Sequence, residues 1–129
     1  MKKISVTIAV LATLALGACS TFSIGTQATL NTLDGIISSY GLLLNAENTY
    51  KALPLCKTGT KPSVTNICAQ RSIIVRLQAA DKVANQTVNS AEAFVKANPT
   101  VSPTQYISTA QAALAALQTV LNSASATGN

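Results

Sequence analysis

Between Ile74 and Lys96 the chain carries two complementary faces at a single helical period. Ile74, Leu77, Ala80, Ala84, Val88, Ala91 and Val95 form an apolar stripe. Gln78, Lys82, Asn85, Asn89, Glu92 and Lys96 form a polar one on the opposite side. Steps of three and four residues put each set on one side of an α-helix and scatter it on any strand. A helix with one apolar face needs a partner to bury that face. Two further segments of the chain can supply one. Over about 26–53, Leu30, Leu33, Ile37, Tyr40 and Leu44 recur at the same steps, continued by Leu43, Ala46, Tyr50 and Leu53. Gly35 and Gly41 weaken that helix, each by about 1 kcal/mol relative to Ala. Over about 103–122 the stripe is Ile107, Ala110, Leu114, Leu117 and Leu121, opened by Ser102-Pro103-Thr104-Gln105. Serine at the cap, proline in the first turn and glutamine three residues after the serine form a capping box. Val101 and Tyr106 are placed to staple it. Pro54 and Asn98-Pro99 separate the three segments, since proline and the residue before it resist helix. No segment alternates as a strand. The expectation is an all-α fold: a small antiparallel three-helix bundle with helices over about 26–53, 66–97 and 103–122.

The beginning of the chain has a different character. Met1-Lys2-Lys3 is positive, and Ile4 to Leu16 is almost unbroken apolar sequence. That run is shorter than the ~20 residues needed to cross a bilayer, and it has the layout of a secretory leader. It ends in Leu16-Gly17-Ala18-Cys19: an aliphatic residue, two small residues, then cysteine. These four positions, with the apolar run before them, resemble the lipobox of bacterial lipoproteins. The resemblance does not extend into the domain that follows. It implies removal of 1–18, a diacylglycerol on the sulfur of Cys19 and an acylated new amine. Each buried methylene contributes about 0.8 kcal/mol to membrane attachment, and two or more chains make the attachment lasting. By the same resemblance, Ser20 rather than Asp after the cysteine favours export to the outer membrane, where the host has one. The expected location is the cell envelope, lipid-anchored, facing the periplasm or the surface. Residues 19–25 then serve as a lipid-anchored tether in which Phe22 and Ile24 dip into the interface. Residues 123–129 are small and polar, and a frayed tail is expected there.

An exported chain meets an oxidising compartment, so the remaining even pair, Cys56 and Cys68, reads as an intrachain disulfide. A zinc site would need further Cys or His ligands, and the chain has no histidine. A redox pair would use Cys-x-x-Cys spacing, which is absent. The bridge flanks Lys57-Thr-Gly-Thr-Lys61-Pro62, a turn by composition. A pinned, basic tip of this kind is either a recognition loop or a plain connector between antiparallel helices.

The composition excludes several classes of function. From Cys19 onward seven basic residues face four acids (Asp34, Glu47, Asp81 and Glu92). A dispersed surplus without aromatic clusters does not suit nucleic acid. Without histidine, Ser-His-Asp and Cys-His chemistry is impossible. The four carboxylates lie at least 11 positions apart, and no glycine-rich phosphate loop is present. Asp81 lies at the edge of the inner stripe, where a local capping or pairing role is expected. Tyr40 and Tyr50 read as core tyrosines, and Lys51 as a solvated lysine. No catalytic residue, cofactor or metal is therefore expected. Ile36 and Leu42 widen the apolar arc of the first helix beyond one stripe. With Lys57 and Lys61 they are the candidate partner-binding residues. The expected function is a non-catalytic envelope lipoprotein acting as a helical protein-interaction module. The alternatives are a phage-encoded or immunity-type blocking lipoprotein and a structural homo-oligomer. The expected partners are the membrane, through the N-terminal lipid, and either an envelope protein or a second copy.

Overall fold

The computed structural model describes residues 32–126. The leader, Cys19, the tether with Phe22 and Ile24, Leu30 and residues 127–129 lie outside the described residues.

Three helices follow in order: α1 (Leu33–Lys51), α2 (Arg71–Ala97) and α3 (Thr104–Ala126). Cross-helix contacts set their directions. Tyr40, early in α1, reaches Asp81 in the middle of α2. Tyr50, at the end of α1, accepts the backbone N–H of Gln70 just before α2. Phe94, at the end of α2, stacks on Tyr106 at the start of α3. Each helix therefore runs antiparallel to the one before it, in an all-α three-helix bundle. Among the described residues the only ladder contacts are two isolated bridges, Leu55 with Ala69 and Ser63 with Asn66.

Helix α1 begins at Leu33 because Thr32 is extended and its hydroxyl accepts the N–H of Gly35 at 3.1 Å, an N-cap. The expected start near residue 26 lies outside the described residues. Asp34 in the first turn and Lys51 in the last both complement the helix dipole. Of the expected stripe, Tyr40 and Leu43 are buried and Leu44, Ala46 and Tyr50 pack against the core, while Ile36 is buried where Ile37 was expected. Ile37 is largely exposed.

Helix α2 is the central element. Ile73, Leu77, Ala84, Val88 and Ala91 are buried, so Ile73 rather than Ile74 leads the stripe. The helix starts at Arg71, later than the expected 66, because Cys56 N–H to Ala69 O (3.0 Å) and Ala69 N–H to Pro54 O (2.8 Å) hold the chain extended up to that point.

Helix α3 buries Ala110, Ala113, Leu114, Leu117, Val120, Leu121 and Ala124. It continues to Ala126, past the expected end at 122, because Val120, Leu121 and Ala124 keep the apolar stripe going where composition alone suggested a frayed tail. Tyr106 stacks on Phe94, with ring centroids 4.2 Å apart, while Val101 is exposed. The first turn of α3 is thus held by an interhelical ring contact.

Candidate functional site

The disulfide end of the bundle holds the most distinctive surface. Cys56 and Cys68 are bridged, with Cα atoms 4.9 Å apart. The bridge and the two backbone bonds beside it close the base of a loop spanning residues 54–69. Inside the loop, Thr60 donates both its N–H and its hydroxyl to Lys57 O. Gly59 has φ +82°, the left-handed region that glycine enters without a steric penalty. A second turn exchanges N–H···O bonds between Ser63 and Asn66 at 3.0 and 3.1 Å. The Asn66 side chain reaches back to Lys61 O at 3.1 Å. A loop with this many internal bonds is pre-shaped.

What the loop presents is apolar and basic. Val64 is 85 % exposed, Ile67 67 % and Leu55 49 %. Lys57 and Lys61 are exposed beside them. From Asn48 to Ala80 there is no Asp or Glu, whereas Lys51, Lys57, Lys61, Arg71 and Arg76 all fall there. Lys51 is paired with Glu47 at 3.1 Å, so it is not the freely solvated lysine expected. Four cations remain without an acid close in sequence. The start of α2 also departs from what helix stability favours. Gln70 makes no side-chain cap bond and no acid lies in the first turn. Arg71 sits at the positive end of the helix dipole, an arrangement disfavoured by about 0.3–1 kcal/mol. Of the nine exposed large hydrophobics among the described residues, Leu55, Val64 and Ile67 fall on this loop, and Val64 and Ile67 are the two most exposed.

The residues singled out from sequence separate here. Lys57 and Lys61 lie together on the tip. Leu42 is 58 % exposed, but it stands on α1, away from the loop. Ile36 is fully buried in the core cluster with Tyr40, Leu43, Leu77 and Leu114. Its expected role in partner contact is corrected: it is a core residue, and the extra width of the apolar arc is used inside the monomer. Val64 and Ile67 escaped notice because they belong to no periodic stripe. Their signal was their placement, as lone aliphatics between turn residues inside the disulfide loop.

Two polar features lie in the helical body. Tyr40 donates its hydroxyl to Asp81 Oδ1 at 2.8 Å, so Asp81 pairs across to α1 rather than locally as expected. Burial, and then this bond to a carboxylate, push the Tyr40 hydroxyl up to about 12. Glu47 is fully buried, and its Oε2 has no hydrogen-bond partner among the described residues. Among those residues no group of three or more His, Cys, Asp or Glu side chains could hold a metal. No described helix is long and apolar enough to cross a membrane.

No protein-family model, no curated protein and no solved structure matches this chain.

Proposed function

We propose that the protein is a non-catalytic, lipid-anchored helical interaction module of the cell envelope, and that it contacts its protein partner through the disulfide-pinned tip. The observation that carries this reading is the coincidence, on one pre-shaped loop, of exposed Leu55, Val64 and Ile67 with unopposed Lys57 and Lys61. Pre-organisation lowers the ordering cost of binding. The apolar side chains supply contact area, and the cations select an acidic counter-surface and speed encounter. The lipobox-like Leu16-Gly17-Ala18-Cys19 supports the anchored location, and the absence of histidine supports a role in binding rather than catalysis.

The test is site-specific photo-cross-linking in cells from position 65, between the two apolar residues, with position 89 on the outer face of α2 as control. A discrete adduct with one envelope protein is expected from position 65. It should be lost in the Lys57→Glu/Lys61→Glu variant, whose helical stability is unchanged. No discrete adduct from the tip, or the same adduct from position 89, removes the reading.

A further inference from the structure

Away from the tip, at the end of the bundle where α2 turns into α3, a groove of about 320 Å³ runs between these helices. Gln86, Thr87 and Ser90 line it from α2, and Gln105, Tyr106 and Thr109 from α3. None of the six is charged. Nor is anything on the α3 side, because the chain contains no Asp, Glu, Lys or Arg after Lys96. Along α2 the charged side chains nearest the lining are Lys82, one turn before Gln86, and Glu92, which is paired with Lys96.

The hydrogen-bonding groups divide into two sets. Thr87 donates to the carbonyls of Val83 and Ala84, Ser90 to Gln86 O and Thr109 to Gln105 O. These hydroxyls have spent their proton on the helix and offer lone pairs to the groove. The Gln86 and Gln105 amides and the Tyr106 hydroxyl have no hydrogen-bond partner among the described residues, and both glutamines are exposed. They offer free donors and acceptors. Tyr106 is 39 % exposed. One side of its ring is fixed against Phe94, so the ring is held in place while the rest of it borders the groove.

A ligand matching this lining carries many hydroxyl-type donors and acceptors, has no net charge, and has an apolar C–H surface to lay on an aromatic ring. From this we infer that the groove is a binding site for a neutral carbohydrate, a pyranose chain of which it holds one or two rings. None of the six lining side chains offers a charged ligand an ionic partner to offset lost hydration. A purely apolar ligand would strip water from the two amides without replacing it. The volume stands at the small end of the range for ligand sites, about 300–1,000 Å³, and the groove is open, so the affinity belongs in the millimolar range. The site is independent of the tip and of any lipid at Cys19.

The test is NMR titration of the isotope-labelled full chain, in a detergent without a sugar headgroup, with chitotetraose and separately with cellotetraose to about 20 mM. Saturable shifts are expected at the Gln86 and Gln105 side-chain amides and around Thr87, Ser90, Tyr106 and Thr109. A response to chitotetraose alone assigns recognition to the acetamido group. A response to both sugars assigns it to the ring and its hydroxyls. Gln86→Ala/Gln105→Ala, which removes two exposed side chains, should weaken binding about tenfold or more with an unchanged melting temperature. Tyr106→Phe keeps the ring stack and should weaken binding less. The inference is overturned by the absence of saturable shifts with both sugars, by shifts centred elsewhere, or by full affinity in the double glutamine variant.

Discussion

Glu47 points into the core of the bundle, with one oxygen on Lys51 at 3.1 Å and the other without a partner. A fully buried carboxylate is costly, and its single cation is about one-third exposed, so the pair is not a strong source of stability. Removing one partner has the larger effect, because it leaves a charge buried and uncompensated. Lys51→Ala should therefore destabilise the fold by about 2 kcal/mol in urea unfolding. Glu47→Leu should be neutral or stabilising, since it replaces that charge with apolar volume on the inner face. If both variants lose the same stability, the carboxylate has a structural role that this pairing does not explain. Tyr40, one heptad earlier on the same face, gives a pH prediction. Its hydroxyl is raised to about 12, above the ordinary tyrosine value near 10. The neutral form is favoured in the fold, so the associated stability is fully present below pH ~10 and is lost as pH rises toward 12. Tyr40→Phe should remove the latest-titrating component of the ultraviolet phenolate signal and flatten the loss of stability across that window. It should cost about 1 kcal/mol at neutral pH by removing the bond to Asp81.

The elements show where sequence reasoning reaches and where it stops. Helices α2 and α3 were legible because their inner positions are filled by residues of one kind, so that only one phase buries them. Helix α1 was legible as a helix, and Tyr40, Leu43 and Tyr50 of its expected stripe do lie inward. Its true inner row is Ile36, Tyr40, Leu43, Glu47 and Tyr50, in steps of four and three. The expected stripe missed at Ile37, taken in place of Ile36, and at Glu47, an inner position that no apolar pattern marks. Ile36 then looked surplus, when in fact it is core. The loop was legible as a disulfide-closed turn, because two cysteines without histidine or Cys-x-x-Cys spacing leave few alternatives. Its exposed face was not legible, since Val64 and Ile67 show their orientation only once the Ser63–Asn66 turn has formed. The loop also makes two predictions at its own scale. Cys56→Ser/Cys68→Ser releases a 12-residue separation and should cost about 3 kcal/mol in the chain-entropy account. Far-ultraviolet helicity should survive at low temperature, because the three helices bury their own core. Gly59→Ala places a Cβ at φ +82° and should cost about 1–2 kcal/mol, although nothing lies within 4 Å of the added atom. Disulfide loss without destabilisation would mean that the two backbone bonds at Ala69 suffice to hold the loop base.

At the scale of the whole molecule, geometry relates the two ends of α1. The helix spans 19 residues, about 28 Å at 1.5 Å per residue. The basic apolar tip follows its C-terminal end, while the chain leading back to Cys19 enters at its N-terminal end. The proposed lipid at Cys19 and the tip therefore lie beyond opposite ends of α1 along the chain. Attachment also acts through concentration. Confining the domain to one surface raises its effective concentration for a partner on that surface without any added contact, so a small tip of modest intrinsic affinity suffices. The reading predicts a linked pair of changes. Cys19→Ser should remove the mass of the acyl chains from the intact protein and shift it from the detergent phase to the aqueous phase. The same substitution should sharply reduce the cross-link formed from position 65, with the tip itself untouched. Intact-mass measurement of membrane-extracted protein and phase partitioning check the first change, and the in-cell cross-link checks the second. Unchanged mass and partitioning would remove the anchor from the account. A cross-link that persists in an unanchored chain would mean that the tip holds its partner by contact energy alone, and the concentration argument would then fall.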